Sequence, residues 1–253
     1  MRISHFCLLA IFAAGCAAGP SAAPGPARAA LPAHAGFDLD WYPGDAARQA
    51  WRGAAPYEWV GFYLPAPCHR DASWSGKRAA IQAMRYGIAV IYVGQQQFEG
   101  DTTPPVPGAP VICSRTLLTE ERGRADAADA AVRTAAEGYP AGTAVFLDVE
   151  RVSNLTPEMS AYVSAWVDAL RQDGRYRPAI YAHRDNAAAL RTLVGAIPFW
   201  VAGGAGFALD RTPQQSGVEF ASVWQGPPGP RTWAGVTLTV DENVSVTPSP
   251  STP

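Results

Sequence analysis

The sequence predicts an α/β fold, a (β/α)8 barrel of the TIM type with degenerate last units, on three observations. Eight short apolar runs lie between residues 36 and 246. Helix-like stretches separate most of them, the alternation that builds a parallel sheet. No G-x-G-x-x-G and no G-x-x-x-x-G-K-S/T occurs, which counts against the alternative, an open doubly wound sheet built around a phosphate loop. The roughly 210 residues of this region sit at the low end of what such a barrel needs.

The elements follow in order. "GFDLD" (36–40) is the first strand and "PGDAARQAWR" (43–52) a short helix. "WVGFYL" (59–64) is the second strand. A helix is predicted over 75–87, with Ser75 as its cap and Gly87 as its stop. "IAVIYVGQ" (88–95) is rich in β-branched residues and reads as strand three. After a Pro-rich loop, 118–138 is Ala-rich and helical, capped by Thr119 with acids in its first turn. "AVFLDVE" (144–150) is strand four. In 156–174 Thr156 caps a helix, Pro157 takes its first position and Gly174 ends it. "RPAIYAH" (177–183), a helix over 185–195, and "PFWVAGG" (198–204) follow. "FASVWQG" (220–226) and "VTLTVDENV" (236–244) complete the set, with little helical signal between the last strands.

The flanks read differently. Residues 1–16, "MRISHFCLLAIFAAGC", carry one Arg, an apolar stretch and small residues, the pattern of a secretory signal. "AAGC" resembles a lipobox that would lipidate Cys16; ordinary cleavage after "SAA" or "ARA" is the other reading. Residues 17–35 are an Ala/Pro/Gly-rich linker, and 247–253, "TPSPSTP", predict a disordered tail. The expected localisation is therefore exported: extracellular or in the cell envelope, with Cys16 as the anchor if lipidated. In such a compartment the two remaining cysteines, Cys68 and Cys113, are expected to pair. The chain holds 20 basic and 22 acidic side chains, a balance that leaves no footprint for nucleic acid. Membrane contact is expected only through the lipid anchor.

Strand C-terminal ends face the active site of a parallel barrel. Here those ends present Asp38, Asp40, Tyr63, Gln95, Asp148, Glu150, Tyr181, His183, Trp200, Trp224, Gln225, Asp241 and Asn243. Carboxylates move protons and aromatic faces stack on sugar rings, the two requirements of glycan cleavage. Asp148 and Glu150, at i and i+2, point to one side of their strand with Cα atoms about 6.5–7 Å apart. Crowding of like charges raises one pKa and keeps one acid protonated. Glu150, longer and farther out, is expected to be the general acid; Asp148 would orient substrate or stabilise positive charge. Asp38 and Asp241 complete the catalytic set, and the remaining residues would bind substrate. Acids also bind Ca²⁺ or Mg²⁺, but no EF-hand spacing is present, and neither metal nor cofactor is expected.

"GFDLD", "FLDVE", "PAIYAH", "FWVAG", "VWQG" and "VDEN" resemble, in order, the strand motifs of the family 25 glycoside hydrolases, the lysozyme-type muramidases of peptidoglycan. "GFDLDWYPG", "YLPAPCHRDASWSGKR" and "YVGQQ" are more similar still to an exported actinobacterial group of glycoside-hydrolase-like domains. The resemblance implies that Glu150 is the proton donor and that Asp148 assists attack at the anomeric carbon. It aligns Asp38 with the first-strand acid and Asp241 with the last-strand acid. The muramidases usually carry a Tyr soon after the Trp-Gln pair, whereas Gly226 and two prolines follow here. Two functions are consistent with these residues. One is a glycoside hydrolase acting on a cell-envelope glycan such as peptidoglycan; the other is an inactive glycan-binding or envelope-organising module on the same barrel.

Overall fold

The computed structural model describes residues 33–98 and 112–252. The leader, Cys16 and all but the last residues of the linker lie outside the described residues.

Eight strands close into a barrel in sequence order, β1 (His34–Asp38) through β8 (Val236–Ser245). Five units alternate strand and helix. These are β1 with α1 (Asp45–Ala54), β2 (Trp59–Tyr63) with α2 (Arg78–Ala83), β3 (Gly87–Val93) with α3 (Glu120–Ala136), β4 (Ala144–Val149) with α4 (Pro157–Asp173) and β5 (Arg177–His183) with α5 (Arg184–Val194). Thr119 and Thr156 cap α3 and α4 as the sequence predicts, and Gly174 ends α4 in the left-handed conformation. The last units are degenerate. Only a 3-10 turn lies between β6 (Phe199–Ala202) and β7 (Val223–Trp233), and β8 runs antiparallel to both neighbours, β7 and β1. A two-residue loop, Ala234-Gly235, joins β7 to β8 with both φ angles positive, the hairpin geometry that matches strand twist.

Strand alternation sorts the side chains into two layers. Trp59, Ala89, Ile91, Ala144, Phe146, Ala179, Trp200 and Val223 fill the barrel interior. Val145, Leu147, Val149 and Ile180 face outward and pack with helix residues such as Tyr162, Val163 and Trp166. Gly36 makes room for the interior indole: a Cβ there would fall 2.1 Å from the Trp59 ring. Outside the barrel, Arg48 of α1 is fully buried and lies over the rings of Phe37, Tyr42, Trp74 and Tyr86 at 4.6–5.7 Å. Burial lowers its pKa to about 10. This cation–aromatic cluster holds down the loop that follows β1.

Two local expectations are corrected. The second helix is shorter than 75–87: Gly76 takes φ 74°, so the chain turns before helix starts, and Arg85 at φ 61° ends it ahead of Gly87, which already belongs to β3. The segment after Thr247 is not a free tail. β3 and β4 pair only from Val90 and Val145 onward, and the chain end fills the gap below. Ile88 N–H donates to Ser249 Oγ (2.9 Å), Val90 N–H to Ser251 Oγ (2.7 Å) and Ala144 N–H to the Ser251 carbonyl (2.8 Å). Composition suggests disorder, but unpaired strand edges need partners, and these serines supply them.

Candidate active site

The C-terminal mouth of the barrel gathers the acids. Asp38, the last residue of β1, is 1% exposed. Its Oδ1 accepts from Gln225 Nε2 (2.9 Å) and Asn243 Nδ2 (2.7 Å), and its Oδ2 from the Tyr63 hydroxyl (2.8 Å). Gln225 in turn accepts from the Tyr181 hydroxyl (2.7 Å), and Asn243 Oδ1 from Trp200 Nε1 (2.8 Å). Five of the expected substrate-binding residues thus form one buried network around a carboxylate. Gly61 permits the approach, since a Cβ there would lie 2.5 Å from Asp38 Cβ. Burial pushes the Asp38 pKa up, and the three donated hydrogen bonds oppose that rise.

Asp148 lies deeper than Glu150 on the same inward line of β4. It is 7% exposed, and its Oδ1 is buried without a partner among the described residues. Burial first, then the charges of Glu150 and Asp38, hold its pKa well above the ordinary carboxylate value. Glu150 is exposed at the rim. Asp241 stands directly across the antiparallel pair from Asp38, half-buried, its pKa pushed up to about 7 by burial and by Asp38, Asp40 and Glu150. These mutual charge effects place Asp38, Asp148, Glu150 and Asp241 in one site. Asp40 is exposed just beyond β1.

Other expected residues have different roles. Trp200 is fully buried, edge-on to Trp59, Phe146 and Tyr181, and forms the floor of the site rather than a stacking face. Trp224 falls on the outer side of β7 by alternation, packs on Phe207 and donates to the Gly203 carbonyl, so it does not face the site. Gln95 bonds Ile112 and Ser114 and anchors the segment carrying Cys113, which forms a disulfide with Cys68 (Cα–Cα 4.6 Å). His183 caps α5, accepting from the Asp185 N–H (3.2 Å). Among the described residues no group of three or more His, Cys, Asp or Glu is arranged to hold a metal ion.

Sequence reasoning missed two residues. Gln96, 1% exposed, donates from Nε2 to the Asp148 carbonyl (2.8 Å) and accepts at Oε1 from the Glu150 N–H (3.0 Å). It fixes the backbone on which both acids stand. The run of three glutamines after Gly94 was the available signal, since a polar run directly after a buried strand needs partners. Trp41, next to Asp40, is 48% exposed at the mouth and offers the aromatic face that Trp200 and Trp224 do not.

Comparison with known proteins matches residues 49–243 to a family model described as "Rv2525c-like, glycoside hydrolase-like domain". No curated protein matches. Among solved structures, the Mycobacterium tuberculosis Tat-secreted protein Rv2525c in complex with L-tartrate superposes with a TM-score of 0.54 at 16% identity, over 87% of this chain and 97% of that one. The modular autolysin LytC from Streptococcus pneumoniae, in complex with a synthetic peptidoglycan ligand, gives 0.57 at 14% identity, over 84% of this chain and 46% of that one. GHIP, a glycosyl hydrolase 25 of Streptococcus pneumoniae, gives 0.58 at 12% identity, over 84% and 86%. At these identities the structural likeness is one of fold.

Proposed function

The chain belongs to the Rv2525c-like, glycoside hydrolase-like domain family, and from that premise we propose that it is an exported glycoside hydrolase acting on a cell-envelope glycan of the peptidoglycan type. The observation that carries this reading is the convergence of Asp38, Asp148, Glu150 and Asp241 on one barrel mouth, each of the three buried or half-buried acids raised in pKa. Glu150, exposed at the rim, is the group that meets a glycosidic oxygen and acts as general acid. Asp148, its pKa held high by burial, orients the sugar through its otherwise unpartnered carboxyl. Asp38 does not touch substrate; it anchors Tyr63, Gln225 and Asn243 and so shapes the pocket wall. The ligand-bound LytC structure and the disulfide support a cell-wall glycan and an exporting compartment respectively.

Purified mature protein is expected to release reducing ends from cell wall, and Glu150→Gln to remove most of that activity. If wild type and Glu150→Gln behave alike across several glycans, the reading fails. A second reading, a silent glycan-binding module, is favoured by one observation: Asp38 and Asp148 are 1% and 7% exposed and so offer little surface to a substrate. Saturable binding without turnover, unaffected by Glu150→Gln, is its signature.

A further inference from the structure

A cavity of about 250 Å³ lies at the end of the barrel opposite the acids, where β3 and β4 begin and the chain end fills the gap between them. Arg78 and Gln82 of α2 form one wall, Tyr86 and Tyr139 stand ahead of the two strands, and Ser249 and Thr252 of the chain end form the last wall. Arg78 lies over the Tyr139 ring, its Cζ 5.0 Å from the centroid. Its Nε is buried without a partner, and among the described residues no ion pair holds its guanidinium. The hydroxyls of Tyr86 and Tyr139 are buried and also lack acceptors. No carboxylate side chain among the described residues lines the cavity. Glu137, whose charge acts on Tyr139, is taken up by the Gly76 N–H at 2.9–3.0 Å. Two further guanidiniums, those of Arg52 and Arg48, lie 5.1 and 5.7 Å from the Tyr86 ring. Arg52 donates to the Met84 and Arg85 carbonyls and Arg48 has no hydrogen-bond partner, so no carboxylate offsets either charge among the described residues.

We propose that this cavity binds a phosphate group, free or as a small monoester, with Arg78 as its charged partner. Donors in excess, positive charge and no acid are the chemistry that holds an oxyanion. Those donors stand on separate walls rather than in one plane, which suits a tetrahedral group better than a planar carboxylate. The Arg78 fork grips the anion, and the Gln82 amide and the Thr252 hydroxyl complete its shell. Bound there, the ligand joins α2 to the chain end and so stabilises the seam between β3 and β4. The site lies away from the acids and stands independently of the glycan reading.

Calorimetric titration of the purified chain at fixed ionic strength tests this with three probes: inorganic phosphate, glycerol 3-phosphate and acetate. Saturable binding of at least one phosphate probe is expected, at least about tenfold tighter than acetate; which of the two binds tighter identifies the source of the group. Arg78→Gln, with its fold checked by circular dichroism, is expected to weaken binding about tenfold, the scale of one charge-assisted contact. Arg78→Lys, which keeps the charge and loses the fork, falls between. At about tenfold excess over its Kd the ligand should raise the Tm of the wild type by about 3–5 °C, and that of Arg78→Gln at the same concentration by about 1 °C. No saturable binding of either phosphate probe, acetate binding as tightly as phosphate, or an affinity untouched by both Arg78→Gln and Gln82→Ala overturns the site.

Discussion

Asp241 faces Asp38 directly across the antiparallel β1–β8 pair, and like charges so placed cannot both ionise freely. Asp38 has three donors to hold it; Asp241 takes the consequence, with its pKa near 7. An acid whose pKa is raised on folding binds its proton more tightly folded than unfolded. Its stabilising contribution is therefore full below the unfolded value near 3.8 and is lost as pH rises through about 7. Urea unfolding from pH 4 to 8 should show wild type losing stability across that window. Asp241→Asn should flatten the profile by on the order of 1–2 kcal/mol, after discounting for partial exposure. Parallel profiles would refute the assignment.

Gln96 holds two backbone groups of the acid-bearing strand end. Gln96→Ala leaves the Asp148 carbonyl and the Glu150 N–H without their partner, and should cost about 1–3 kcal/mol in chemical denaturation. Turnover should fall by a larger factor than glycan affinity, because the loss is in the aim of Glu150 and Asp148 rather than in contact area. An unchanged turnover number would show that the strand end holds its shape alone.

The chain end is structural. Deleting residues 248–252 removes partners for the N–H groups of Ile88, Val90 and Ala144. At about 1 kcal/mol each this should lower Tm by roughly 6–12 °C. A Tm within a degree of wild type would show that water replaces the serines at no cost.

The parts of this molecule legible in sequence are those that local rules determine. Thr119, Thr156, Pro157 and Gly174 mark helix ends by chemistry that needs only near neighbours. "AVFLDVE" alternates as a barrel strand must, Ala144, Phe146 and Asp148 inward, Val145, Leu147 and Val149 outward. The acids at strand ends were legible for the same reason. What was not legible depended on distant partners. Ser249 and Ser251 are ordered only because β3 and β4 diverge below Val90. The outward side of Trp224 follows from the register of β7, which the sequence leaves open by one residue. Gln96 is recognisable as a support only once β4 lies beside β3.

The central claim is that Glu150 donates the proton. The most direct measurement is reducing-end release from purified cell wall by the wild type and by Glu150→Gln, with the fold of each checked by circular dichroism. Measurable release by the wild type and a loss of at least about a hundredfold in the variant are expected, the scale of a missing general acid. Equal release by both proteins would contradict it.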